Sequence, residues 1–108
     1  MAGLLLHVYG AEKEGISSAL RVAHNARKDL SPAPSIEIVV QGAAVRFLTE
    51  SPSILPAALN GVRVLACSNS LASAGLAPSD VVAPAEPISS AVGHLTRRQM
   101  AGWAYVRL

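Results

Sequence analysis

Gly61-Val62-Arg63-Val64-Leu65-Ala66-Cys67-Ser68-Asn69-Ser70-Leu71 is the stretch from which the architecture can be read. Residues 62–66 are a short apolar run of the kind that forms a buried strand. Ser68, Asn69 and Ser70 are helix N-cap residue types, so a helix is predicted over 69–74, closed by Gly75. Cys67, the only cysteine, therefore stands where a strand ends and a helix begins. Ligands of open α/β sheets bind outside the carboxyl ends of strands. The free N–H groups of a helix start favour negative charge there. A thiol so placed loses its proton more easily than a free cysteine, whose pKa is about 8.5. The competing reading is a small buried hydrophobe, the commoner fate of a lone cysteine.

Upstream, Leu4-Leu-Leu-His-Val-Tyr9 is an almost unbroken apolar run and reads as a first strand. Ile16, Ala19, Leu20, Ala23, Ala26 and Leu30 then recur at helical spacing, which predicts a helix over 14–30. Arg27 falls within that stripe, a place suited to the helix end or to a partner subunit. Ser31-Pro-Ala-Pro-Ser35 stops the helix. A β-branched second strand is expected at 36–40. Gln41-Gly42 turns into helical segments at 43–48 and 53–59, the latter broken by Pro56. Downstream, a fourth strand is expected at 81–83. Pro87 is expected to open a helix carrying Ile88, Ala91, Val92 and Leu95, weakened by Gly93 and ending near Gly102. Residues 103–108 read as a last strand. Strands alternating with helical segments predict a mostly parallel sheet of about five strands with helices on both faces.

The 108 residues support a single domain, 1–108, with a core that needs no disulfide or metal staple. Half of the chain is hydrophobic but only 4% is aromatic, so Ala, Val, Leu and Ile must build that core. A net charge of +2 without a basic run gives no support for a nucleic-acid partner. The amino-terminal apolar run lacks a basic flank and falls far short of the roughly 20 residues that span a bilayer. No membrane partner is expected, and the cytoplasm is the expected location. One cysteine forms no intramolecular disulfide.

In this order and spacing the residues are familiar. The chain resembles the DsrE/DsrF-like family, in particular its small YchN-like single-domain members. The likeness runs over nearly the whole length. It rests on Leu5-Leu-His-Val8, on 19–30 with Asn25-Ala-Arg27, on Val39-Val-Gln-Gly42, on Gly61–Leu71 and on Arg98-Gln-Met-Ala-Gly-Trp-Ala-Tyr105. The resemblance implies a three-layer flavodoxin-like α/β sandwich that assembles as a homotrimer or homohexamer. It further implies intracellular sulfur oxidation or sulfur relay, with sulfur carried as a persulfide on a cysteine after a central strand. Cys67 stands at the matching position, which raises the expectation that it is functional. By analogy with the family's oligomers, Trp103 and Tyr105, two residues apart on the last strand, are expected at a subunit interface.

In that reading Cys67 is the catalytic nucleophile and sulfur acceptor, serving sulfur donor and acceptor proteins. The N–H groups of Ser68, Asn69 and Ser70, with their side chains, supply donors to the anion. Gln41 and Gly42, at the end of the second strand, are expected to line the same edge as ligand-binding residues. Plain helix capping competes as the role of Ser68 and Asn69. His7 is expected to be packed or at an interface, and His24 and His94 on the surface or at an interface. Arg97 and Arg98 read as solvated charges that oppose a helix dipole, with a basic rim for an anionic ligand or partner as the alternative. No His/Cys spacing suggests a metal, and no GxGxxG or Walker pattern is present, so no cofactor is expected. Three functions are consistent with this pattern. The first is a sulfurtransferase-like carrier. The second is a non-catalytic oligomeric module binding a small anion or a protein at the strand edge. The third, a nucleophilic-cysteine enzyme, lacks a base or acid placed by sequence beside Cys67.

Overall fold

A computed structural model describes residues 2–51, 54 and 59–108. Its elements run β1 (Gly3–Tyr9), α1 (Lys13–Asp29), β2 (Ser35–Gln41), a 3-10 segment (Ala43–Thr49), β3 (Arg63–Cys67), α2 (Ser68–Ser73), a 3-10 turn (Pro78–Asp80), β4 (Glu86–Ile88), α3 (Ala91–Met100) and β5 (Ala104–Arg107). The five strands form one sheet in the order β4-β3-β2-β1-β5, and every neighbouring pair is parallel. The result is the expected flavodoxin-like α/β sandwich of three layers.

The layers follow from side-chain alternation along the strands. Leu4, Leu6 and Val8 of β1, Ile36, Ile38 and Val40 of β2, and Val64 and Ala66 of β3 point to one face. There they pack with Ile16, Ala19 and Ala23 of α1, with Ala44, Val45 and Leu48 of the 3-10 segment, and with Leu71 of α2. The alternate residues Leu5, Val39, Leu65 and Cys67 face the other way, against Ala91 and Leu95 of α3. From β1 to β4 the chain steps in one direction across the sheet; from β4 to β5 it returns past β3, β2 and β1. Parallel crossovers are right-handed, so the reversed step carries α3 to the opposite face.

Two boundaries differ from expectation. The fourth strand is Glu86–Ile88, not 81–83. Val82 gives its N–H to the Leu48 carbonyl at 2.9 Å, outside the sheet. Pro87 lies inside β4 rather than opening a helix, which is tolerated because β4 is an edge strand. The last helix starts instead after Ser90, whose hydroxyl accepts the Gly93 N–H at 3.0 Å as an N-cap. The segment expected at 53–59 falls largely outside the described residues.

Trp103 precedes β5, and its ring lies so close over Gly3 that a Cβ there would sit 2.5 Å from it. One part of the indole is thus covered by the start of β1. Arg27 reaches from α1 to the Asn60 carbonyl, beside Gly61. No described helix is long and apolar enough to cross a membrane.

Candidate functional site

The strand row Tyr9–Gln41–Cys67–Ile88 closes the carboxyl edge of the sheet. Tyr9 pairs with Gln41 and Cys67 with Ile88, while Gln41 directly follows Val40, the partner of Ala66. At this edge β3 continues into α2 on one face and β4 into α3 on the other. Adjacent strands whose connections diverge open a crevice between them, the usual ligand position of such sheets. A pocket of about 370 Å³ occupies that crevice.

Of the residues expected there, Cys67, Gln41, Gly42, Asn69 and Ser70 border the pocket; Ser68, the first residue of α2, does not. Tyr9, Ser73, Ser90, Ala91 and Val92, with Ala43 and Ala74, complete the wall and were not foreseen. The α3 contribution was hidden by the assignment of the helix start to Pro87. The Ser89-Ser90 pair, two N-cap residue types, was the available signal.

Cys67 is 2% exposed and borders the pocket. Burial raises the thiol pKa. The Ser70 backbone N–H and hydroxyl, followed by the Ala91 and Asn69 N–H groups, lower it by more, and the thiol lies below its ordinary value. Ala91 donates to Sγ at 3.3 Å. That N–H belongs to the first turn of α3, where backbone donors have no partner within the helix. Two helix starts thus converge on one sulfur, Cys67 being itself the N-cap position of α2.

Gly42 sets this geometry from the other side. Its φ of 88° is open to glycine and strained for other residues. A Cβ there would lie 2.8 Å from the Gly10 carbonyl oxygen. In this conformation its N–H reaches the Ser70 Oγ at 2.8 Å.

Below the pocket, on the same sheet face, sits a group that the strand pattern alone did not identify. Glu37 is 2% exposed and accepts from three side chains. Arg98 donates through Nε at 3.1 Å and Nη2 at 2.8 Å, Arg63 through Nη1 at 2.9 Å, and His94 through Nε2 at 2.7 Å. Burial raises the Glu37 pKa, but hydrogen bonds from Arg98 and His94 and the charges behind them leave it lowered overall. Arg63 also pairs with Glu86, the main cause of its raised pKa. Arg98 is therefore bound to a buried carboxylate rather than simply solvated, and His94 is bonded to the same group. Arg98 also stacks over Trp103, 4.7 Å from the ring centroid. A lone Glu within Ile36-Glu-Ile-Val-Val40 was the signal for a charged partner.

His7 is 7% exposed and uses both ring nitrogens: Nδ1 meets the Tyr105 hydroxyl at 2.7 Å and Nε2 the Gln41 Oε1 at 2.8 Å. The reading of His7 as packed agrees with this. Among the described residues, no three His, Cys, Asp or Glu side chains are gathered to hold a metal ion. Chemically, the pocket offers a thiol eased toward ionisation, backbone N–H donors and hydroxyls.

A scan of protein-family models gave no match to this chain, and a search of curated proteins gave none either. Solved structures do match. The chain superposes on the protein of unknown function MTH1491 from Methanobacterium thermoautotrophicum with a TM-score of 0.83 and 29% identity, covering 100% of both chains. It superposes on the ychN protein from E. coli with a TM-score of 0.74 and 15% identity, again over 100% of both. The second likeness is one of fold.

Proposed function

We propose that this chain is a DsrE/DsrF-like sulfur-handling protein in which Cys67 accepts and passes on persulfide sulfur. One observation carries the reading: Cys67 borders a pocket while its sulfur receives the N–H of Ala91 at 3.3 Å, with its pKa lowered. The likeness in fold to the ychN protein supports it. In the step, the Cys67 thiolate attacks the terminal sulfur of a donor persulfide. The donor S–S bond breaks, a new S–S bond forms on Cys67, and the donor leaves as a thiolate. No electrons are gained or lost overall, and the N–H groups that stabilise the Cys67 thiolate stand ready for the persulfide anion. The near-complete burial of Cys67 demands that the incoming sulfur arrive through the pocket.

Assembly as a homotrimer or homohexamer in the cytoplasm, serving donor and acceptor proteins, belongs to the same proposal. It is supported by β5, an edge strand with all four residues exposed, among them Tyr105 and Val106. Light scattering on the purified chain tests the assembly, and a monomer overturns it.

The decisive experiment is intact mass spectrometry after incubation with a cysteine desulfurase and cysteine. The parent should gain sulfur and Cys67→Ser should not; equal labelling of both excludes Cys67 as carrier. The burial of Cys67 favours a second reading, a pocket that binds a small anion through amide and hydroxyl donors while the thiol packs. In that case sulfide, thiosulfate or phosphate titrated into the labelled protein shifts the pocket amides, and Cys67 takes no sulfur.

A further inference from the structure

Tyr105, His7 and Gln41 form a hydrogen-bonded chain across three adjacent strands, from exposed β5 through β1 to the end of β2. Its outer end is 38% exposed, its middle is buried, and its inner end borders the pocket beside Cys67. We propose that Tyr105 and His7 are positioning residues that hold the Gln41 side-chain amide with its N–H groups turned into the pocket that Cys67 borders. This deepens the sulfur-carrier reading and rests on it for the identity of the anion served.

A glutamine amide can present either end. Its NH2 stabilises a thiolate or persulfide anion, whereas its carbonyl oxygen repels one. The choice is tied to the His7 tautomer. Gln41 places Oε1 against His7 Nε2 at 2.8 Å, an arrangement that requires Nε2 to donate. In the neutral ring Nδ1 is then the acceptor, and the Tyr105 hydroxyl donates to it at 2.7 Å. With Oε1 committed to His7, the two N–H bonds of Gln41 are what remains for the pocket. Gln41 and Cys67 border the same pocket. Gln41 is level with Cys67 on the neighbouring strand, about 4.8 Å away in the hydrogen-bonding direction, and projects from the same sheet face. The burial of His7 makes the arrangement stable, because both ring nitrogens are satisfied within the chain of bonds. Reversing any one link forces the others to reverse.

Two measurements test this. Nitrogen-15 NMR of the intact protein should show His7 as the Nε2–H tautomer. The Nδ1–H tautomer overturns the proposal, since the Tyr105 oxygen would then accept and the Gln41 carbonyl would face the pocket. Second, the pH profile of Cys67 alkylation by iodoacetamide should move about one unit higher in Tyr105→Phe and in Gln41→Leu, a tenfold loss of thiolate at a given pH below the midpoint. A purely structural role lowers thermal stability and leaves that midpoint in place. Unmoved midpoints in both variants overturn the proposal, and the NMR arm decides alone if a variant fails to fold. If the parent gains no sulfur from the desulfurase but the midpoints move, the carrier reading fails and the positioning role stands. Sulfur loading with unmoved midpoints keeps the carrier and removes the positioning role.

Discussion

The Ser70 hydroxyl accepts the Gly42 backbone N–H at 2.8 Å, joining the turn after β2 to the helix after β3. Because that oxygen is held as an acceptor, its own hydrogen is free to be directed at the Cys67 sulfur, where the Ser70 side chain lowers the thiol pKa. Ser70→Ala should therefore move the Cys67 alkylation profile to higher pH and slow the reaction at neutral pH by about tenfold, the worth of one hydrogen bond to a charged group. Superimposable profiles for parent and variant would remove Ser70 from the site.

Gly42→Ala attacks the same link from the backbone. At φ 88° the added methyl is strained, and it meets the Gly10 oxygen at 2.8 Å. The expected loss is about 2 kcal/mol, or roughly 10 °C in Tm for a domain of this size. Thermal unfolding followed by circular dichroism checks it, and an unchanged Tm contradicts the strain.

The lowered Cys67 pKa carries a pH signature in stability. A thiol that ionises more readily folded than unfolded contributes stability in full above the unfolded pKa, about 8.5. That contribution is lost as pH falls through the folded value. Urea midpoints of the parent should thus rise with pH relative to those of Cys67→Ser across this window. Parallel curves would show that the sulfur ionises alike in both states.

Glu37→Gln keeps the shape of the side chain but leaves Arg63, Arg98 and His94 without their common carboxylate. Breaking a fully buried pair costs about 3–5 kcal/mol; both guanidiniums here retain solvent contact, so about 2 kcal/mol is expected after screening. Since the Glu37 pKa is lowered, its contribution is present above the ordinary carboxylate range and lost as pH falls through the folded value. Acid titration of unfolding should show that component in the parent and not in Glu37→Gln.

The sequence revealed those parts whose physics is local. β1, β2 and β3 were legible because strands covered on both faces must be apolar nearly throughout, and Ser68-Asn-Ser70 announced a helix start by residue type. β4 was not: three residues at the sheet edge, one of them Pro87, carry a weaker pattern than Val81-Val-Ala83, which satisfies its backbone elsewhere. The Ala91 N–H left no trace in the sequence at all, because every residue but proline carries the same backbone donor. The isolation of Glu37 and His7 among apolar neighbours was the available signal for buried partners, and for Glu37 it went unread. Their identities, Arg98 and Tyr105, lie 61 and 98 residues away and become evident only once the strand order is known.

The position of Trp103 has an optical consequence. The chain contains a single tryptophan, seated on Gly3 under the Arg98 guanidinium at the amino-terminal rim of the sheet. Its emission therefore reports how α3 is joined to β5, from the end of the strands opposite Cys67. A compound that fills the crevice without disturbing α3 should leave the fluorescence dark to its arrival, whereas one that levers the start of that helix should announce itself at a distance.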